Sequence, residues 1–256
     1  MGTLKVYGSQ GALIAPNEDN ANYLVDNKIK IDLGSLSLKS MLDDGVDLTS
    51  LTYLFTHTHI DHTAALPALL FYSWVKTGTV ASLSLYGPEN ELKKRYESAY
   101  EYAFADWQDL KEKRAFGDAV LTELKPGDKL SVFDHTIEVF RSYHTVPALA
   151  YRITDNSTEH TVSFSGDTEY YEQLATDFAD SDLLVYECNN GADENGENSA
   201  KHSNYKDAAR MLNRSDSKRL LLTHISYPDK QKTLSECRKL TDKPIDLAEY
   251  NKTYEY

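Results

Sequence analysis

The stretch Thr56-His57-Thr58-His59-Ile60-Asp61-His62-Thr63 places three histidines and an aspartate within six residues, directly after the apolar run Leu-Thr-Tyr-Leu-Phe. So many polar, ligating side chains cannot all be core. Imidazole nitrogens beside a carboxylate suit Zn, Mn or Fe. At a strand end His57 and His59 point the same way, because side chains alternate. A loop that then folds back turns Asp61 and His62 toward a second ion. One metal does not easily take all four donors from so short a loop, whereas two adjacent metals do. A solvated, His-rich turn is the alternative.

The flanking segments indicate how such a loop is held. TLKVYG, NYLVDN and KIKIDLG read as successive strands broken by Gly8, Gly11, Pro16 and Asn27. SLKSMLDDG reads as a short helix stopped by Gly45, and LTYLFTH as a buried strand. A helical pattern runs from Thr63 through Trp74, and VASLSLYGP is a strand. Residues 89–115 form a polar-aromatic helix with a break near Asp106. KLSVFDHTIEVFRSY is a hairpin, followed by strands ALAYRITD, HTVSFSGD and LLVYECN, the helix NYKDAARMLNR and a last core strand, KRLLLTHIS. Bunched strands punctuated by helices suggest two mixed sheets face to face with helices outside. No repeat or low-complexity linker interrupts the chain, so residues 1–256 are expected to form one domain.

Composition narrows the function. The 256 residues are 41% hydrophobic and 26% charged, ordinary for a globular protein. A chain of this length can bury about 70–75% of its surface without staples. The net charge of −13 repels polyanions at long range, which opposes a general nucleic-acid coat but leaves room for a local basic channel. Two cysteines, Cys188 and Cys237, are too few for a disulfide scaffold and fit a reducing compartment. The N-terminus lacks the pattern of a signal peptide, and the longest apolar run, AALPALLFYSWV, is too short to span a bilayer and contains Pro67. A cytoplasmic protein without membrane contact is the expectation. The 18 tyrosines point to packing surfaces or to a pocket rich in stacking rings.

The His-rich stretch matches the HxHxDH signature of the metallo-β-lactamase superfamily, which the chain resembles from Tyr7 to about Ser226. His144 in SYHTVP resembles the isolated histidine that completes the first metal site of that family. Asp167 in SGDTEY resembles the bridging carboxylate, His224 in LLLTHIS the last ligand, and Asp32 in IDLG the aspartate supporting the site. The resemblance implies a four-layer αββα sandwich and two divalent ions, Zn first and Mn second. His57, His59, His144 and Asp167 would hold one ion. Asp61, His62, Asp167 and His224 would hold the other. Such a pair generates hydroxide near neutral pH and clamps the attacked and leaving oxygens, which suits phosphodiester cleavage. Asp61 is then catalytic as well as a ligand.

KHSNYKDAA resembles the HST-type motif of ribonuclease Z-like phosphodiesterases. It implies that His202 protonates the leaving oxygen or holds the phosphate, with Ser203 beside it. Ser203 also reads as an N-cap for the following helix. Glu187, after the LLVY strand, resembles the glutamate that orients this histidine. His135 and His160 lie at expected turns and read as solvent-exposed. The chain departs from tRNA 3′-processing enzymes: no Gly- and Pro-rich arm lies between His144 and Asp167, and Gly34-Ser35-Leu36-Ser37 stands where that family has Gly-Glu-Gly-Thr-Gln. It is similar instead to armless, homodimeric cyclic-nucleotide phosphodiesterases of the phage anti-Pycsar type. That likeness implies a small nucleotide substrate, a 3′,5′-cyclic mononucleotide opened to the 5′-monophosphate, and no extended nucleic-acid contact. Tyr96, Tyr100, Phe104 and Trp107 share one helical face, either packed on the core or forming a lid at a dimer interface. Trp107, and Phe116 in the next loop, are candidates for stacking on a base. Residues 189–200 read as a second gate. A tRNA 3′-end endonuclease, a lactonase or thioesterase, and a binding protein on a dead scaffold are the competing classes.

Overall fold

The structure is a computed structural model that describes residues 1–193, 200–225 and 230–256. β1 (Thr3–Gly8), β2 (Asn22–Val25), β3 (Ile29–Ile31), β4 (Thr52–Leu54), β5 (Ser84–Pro88) and β6 (Val120–Leu124) build the first sheet. β7 (Lys129–Val132), β8 (His135–Ser142), β9 (Ala148–Asp155), β10 (Thr161–Phe164), β11 (Leu183–Glu187), β12 (Leu220–Thr223) and β13 (Ile245–Leu247) build the second. β14 (Thr253–Glu255) returns to the first sheet, antiparallel to β1. Each sheet has seven strands, in the orders β14-β1-β2-β3-β4-β5-β6 and β13-β12-β11-β10-β9-β8-β7. Both are mixed: β3 to β6 run parallel, as do β10 to β13, and the remaining pairs are antiparallel.

The strands read as almost continuous apolar runs because both faces of each sheet are covered. In β4, Leu54 faces the core between the sheets while Tyr53 faces the helices. In β12, Leu221 faces the inter-sheet core while Leu220 and Leu222 face outward, also under helices. α1 (Ser37–Asp43), α3 (Leu66–Thr77) and α4 (Leu92–Ala103) cover the first sheet through Met41, Leu69, Leu70, Tyr96 and Tyr100. α6 (Glu172–Asp177), α7 (Tyr205–Arg214) and α8 (Lys230–Arg238) cover the second through Leu174, Met211 and Leu234. The layers are helix, sheet, sheet, helix, as expected. Among the described residues no helix is long and apolar enough to cross a membrane.

Several local expectations change. KRLLLTHIS is not the last core strand, because β13 extends the second sheet beyond β12 and β14 closes the edge of the first. Both are three-residue strands, too short to show an alternation. α7 is capped by Asn204 rather than Ser203: the Asn204 side chain accepts from the Lys206 and Asp207 amides, and Asp207 reaches back to the Asn204 amide. His135 is buried, not exposed, because the turn at Phe133 and Asp134 brings it across to Asp26 of the other sheet, 2.9 Å from its carboxylate. His160 is partly exposed, 3.5 Å from Asp182.

The aromatic stripe divides. Tyr96, Tyr100 and Phe104 are buried in the core under α3 and α4. Phe116 is not free for a base: it is 2% exposed and stacks on Phe104 with centroids 4.1 Å apart. Trp107 is 36% exposed and packs on Phe71 and Trp74 of α3. An apolar stripe specifies burial but not the surface that does the burying, and here that surface is α3. Phe116→Ala is therefore expected to cost about 3–5 kcal/mol of folding stability, as for other truncations of core phenylalanine. Urea unfolding measures it, and a loss under ~1 kcal/mol would show that the ring is not a core element.

A candidate dimetal centre at the strand ends

The chemistry-bearing side chains gather where the parallel strands of both sheets end. Asp32 follows β3, the His57–His62 loop follows β4, Asp167 follows β10, Glu187 ends β11 and His224 follows β12. His144 comes from the β8–β9 connection. α2 (Ile60–Thr63) supplies the fold-back anticipated for this loop and carries Asp61 and His62. Gly166, at φ +57, makes the turn that aims Asp167, and a Cβ there would lie 2.9 Å from the Leu149 carbonyl oxygen.

Two groups of donors result. His57, His59 and His144 form one, with His59 Nδ1 lying 3.1 Å from both His57 Nε2 and His144 Nε2. Asp61, His62 and His224 form the other, with the Nε2 atoms of His62 and His224 3.3 Å apart. Asp167 stands between them. Its Oδ2 is 3.7 Å from His57 Nε2 and 3.3 Å from His224 Nε2, and its Oδ1 is 3.5 Å from His62 Nε2. Ligands around a tetrahedral ion at 2.0–2.1 Å are separated by about 3.3–3.4 Å. The observed nitrogen separations fit that edge length, and the donor chemistry fits a borderline metal.

The electrostatics suit cations. Burial, reinforced by the neighbouring imidazoles, holds His57 well below its ordinary value. Burial likewise lowers His59, and it lowers His144 to about 4, in each case against the pull of Asp167. These rings are therefore neutral, the form that ligates. Burial would raise Asp167, but His224, His62 and His57 more than reverse it and hold the carboxyl well below its usual range. Burial would also raise Asp61, and His224 and His62 bring it down to about 2.

Supporting contacts fix the rings. Asp32 accepts from the Thr56 amide, the Thr56 hydroxyl and His62 Nδ1, each at 2.8 Å, so His62 turns Nε2 toward the donors. Asp32 itself sits at φ +53, with its carbonyl 2.7 Å from the buried Lys30 ammonium nitrogen. Thr56 Oγ1 also meets His57 Nδ1 at 3.1 Å, and the Arg95 guanidinium donates to the Thr58 carbonyl. Gly11 leaves room beside His224: a Cβ there would lie 3.1 Å from the ring. No role at the site was expected of Thr56, Arg95 or Gly11. Only for Thr56, flanking the first histidine, does the local pattern carry a signal.

His202 lies at the rim of the donors. Its Nδ1 is 2.8 Å from Glu187 Oε1 and 4.0 Å from Asp167 Oδ2, and its ring stacks on His224. Glu187 is buried and fixed by the Thr168 and Asn189 amides at 2.9 and 2.8 Å. Burial works against a charge on His202, but the hydrogen bond and charge of Glu187 raise its pKa to about 9. Ser203 is buried, and its hydroxyl donates to the Thr168 carbonyl and meets the Tyr186 hydroxyl, so it faces the interior rather than a substrate. The structure places neither Phe116 nor Trp107 among the donors. Half of the expected gate at 189–200, residues 194–199, lies outside the described residues.

The family model of the beta-lactamase superfamily domain matches residues 47–225, from before the His-rich loop to just past His224. The chain belongs to the metallo-β-lactamase superfamily. It is a metal-dependent hydrolase. A probable metallo-hydrolase of Bacillus subtilis, YhfI, is 30% identical over 229 residues, covering 87% of this chain and 86% of that one. The YhfI crystal structure superposes with a TM-score of 0.82 at 27% identity, covering 99% of this chain and 98% of that one. Human tRNase Z, short form, shares the fold with a TM-score of 0.74 at 18% identity, covering 99% and 98%. So does yeast PDE1, with a TM-score of 0.72 at 16% identity, covering 98% of each chain.

Proposed function

We propose that this hydrolase is a two-metal phosphodiesterase that opens 3′,5′-cyclic mononucleotides to 5′-monophosphates. The observation that carries the reading is the pairing of two donor groups across Asp167 with the hydrogen-bonded His202–Glu187 pair at their edge. His57, His59 and His144 would hold one ion and Asp61, His62 and His224 the other, with Asp167 between them. Zn suits the donors, with Mn second. Bound there, two divalent ions supply Lewis acidity to the phosphoryl oxygens and make water a nucleophile near neutral pH. The water oxygen bonds to phosphorus as the bond to the 3′ oxygen breaks. Asp61 orients the attacking water. Glu187 holds His202 Nδ1, so Nε2 is the atom that gives its proton to the departing 3′ oxygen. Without such a donor an alkoxide would have to leave.

The active form is read as a homodimer. Ile60 and Tyr102, 65% and 78% exposed, line a recess beside the metal loop that a second copy would cover. The acidic net charge favours a small substrate over tRNA. The test is a substrate panel on purified protein loaded with Zn or Mn: cyclic mononucleotides, bis(p-nitrophenyl) phosphate, a pre-tRNA and a lactone. Cyclic nucleotides with purine and pyrimidine bases should both be cleaved, at least about tenfold faster than pre-tRNA, with sedimentation reporting a dimer. Efficient trimming of pre-tRNA by a monomer that ignores cyclic nucleotides would establish the ribonuclease reading instead.

A further inference from the structure

On the His144 side of the donors a cleft of about 660 Å³ is lined by Lys125, Arg141, Tyr143, His144, Pro147 and Lys201, among others. It adjoins the donors directly, because His144 lines it and Lys201 precedes His202. Its charge is opposite to that of the protein. Across most of this acidic surface lysines and arginines pair with carboxylates, as Lys76 does with Asp47, Lys218 with Asp182 and Arg219 with Asp246. Among the described residues, Lys125, Arg141 and Lys201 make no ion pair, and the cleft's own lining offers only Glu89 against them. Arg141 lies over the Tyr143 ring at 5.8 Å. Tyr143 is 41% exposed, yet it is braced: its ring meets Tyr171 edge-on at 4.5 Å, its amide is held by Thr168 Oγ1 at 3.0 Å, and Tyr171 donates to the Arg141 carbonyl. A fixed aromatic face among unpaired cations suits a nucleotide carrying phosphate.

A cyclic mononucleotide has a single phosphate, which the metal pair would take in the proposed reaction. The cations of the cleft are then surplus to that substrate. We propose that the cleft is a second phosphate subsite. It accepts diesters whose portion beyond the scissile group bears another phosphate, with Lys125, Arg141 and Lys201 on that phosphate and Tyr143 against a base. The inference rests on the phosphodiesterase reading and widens its substrate class to short phosphorylated nucleotides.

The test compares a thymidine dinucleotide carrying a 5′-phosphate with the same dinucleotide lacking it. The wild-type protein is expected to show a kcat/KM at least about tenfold higher for the phosphorylated one, the effect of one good charge-assisted contact. That ratio should shrink with added salt. It should fall toward one in the Lys125→Ala/Arg141→Ala protein and recover in part with Arg141→Lys alone. A wild-type ratio near one, or a ratio unchanged in the double variant, overturns the subsite. If neither dinucleotide is cleaved, the phosphodiesterase reading fails for linear diesters, and calorimetry then judges the cleft separately. About tenfold tighter binding of the phosphorylated dinucleotide, lost in the double variant, supports the subsite, and equal affinities overturn it.

Discussion

Asp167→Ala protein is expected to retain its fold, to hold well under one metal ion per chain, and to lose more than about 10³-fold in kcat, beyond the cost of a single electrostatic donor. Asp167 is 3% exposed and, among the described residues, is the one carboxylate within 4 Å of ring nitrogens from both donor groups. Two cations a few ångströms apart repel strongly in a buried site unless an anion lies between them. Alanine removes that anion, while the apolar clusters between and outside the sheets do not include Asp167. The expected result is thus a split: metal content and activity collapse together, and the far-ultraviolet dichroism stays. Elemental analysis of the wild type should give close to two ions per chain. Active wild-type protein with at most one weakly held ion would end the two-metal mechanism.

His202→Ala should behave differently. The His202 ring belongs to neither of the two donor groups bridged by Asp167, so both ions should remain. The loss should fall on kcat, by about 10²–10⁴-fold, the usual contribution of a general acid. A ribose 3′ oxygen needs its proton, whereas nitrophenolate leaves readily without one. The same variant should therefore lose much less on bis(p-nitrophenyl) phosphate than on a cyclic nucleotide. Glu187 acts through His202 as a positioning residue, so Glu187→Gln should show the same leaving-group dependence at smaller amplitude. Equal losses on the two substrates would assign His202 to phosphate binding and remove the acid from the mechanism.

Much of the centre was legible because its pattern is local. His57, His59, Asp61 and His62 follow an apolar strand closely enough for alternation and one tight turn to aim them. The glycine before Asp167 and the apolar run before His224 mark strand ends in the same way. The layer order followed from the family resemblance that these motifs carry, since strand and helix patterning alone indicates only an α/β chain with many strands. What the tertiary structure decided lies in contacts between distant segments. Asp32 reaches Thr56 and His62, Glu187 reaches His202, and β14 pairs with β1 from the far end of the chain. Each depends on the register of strands remote in sequence, which no local periodicity encodes. Burial went the same way. Phe116 and His135 sit in segments that read as turns, and only the helix and sheet packed over them decide that one is core and the other an inter-sheet partner of Asp26. The basic cleft has the same origin: Lys125, Arg141 and Lys201 are unremarkable in an acidic sequence, and they become one surface because the β6–β7 turn, the end of β8 and the segment before α7 converge beside His144.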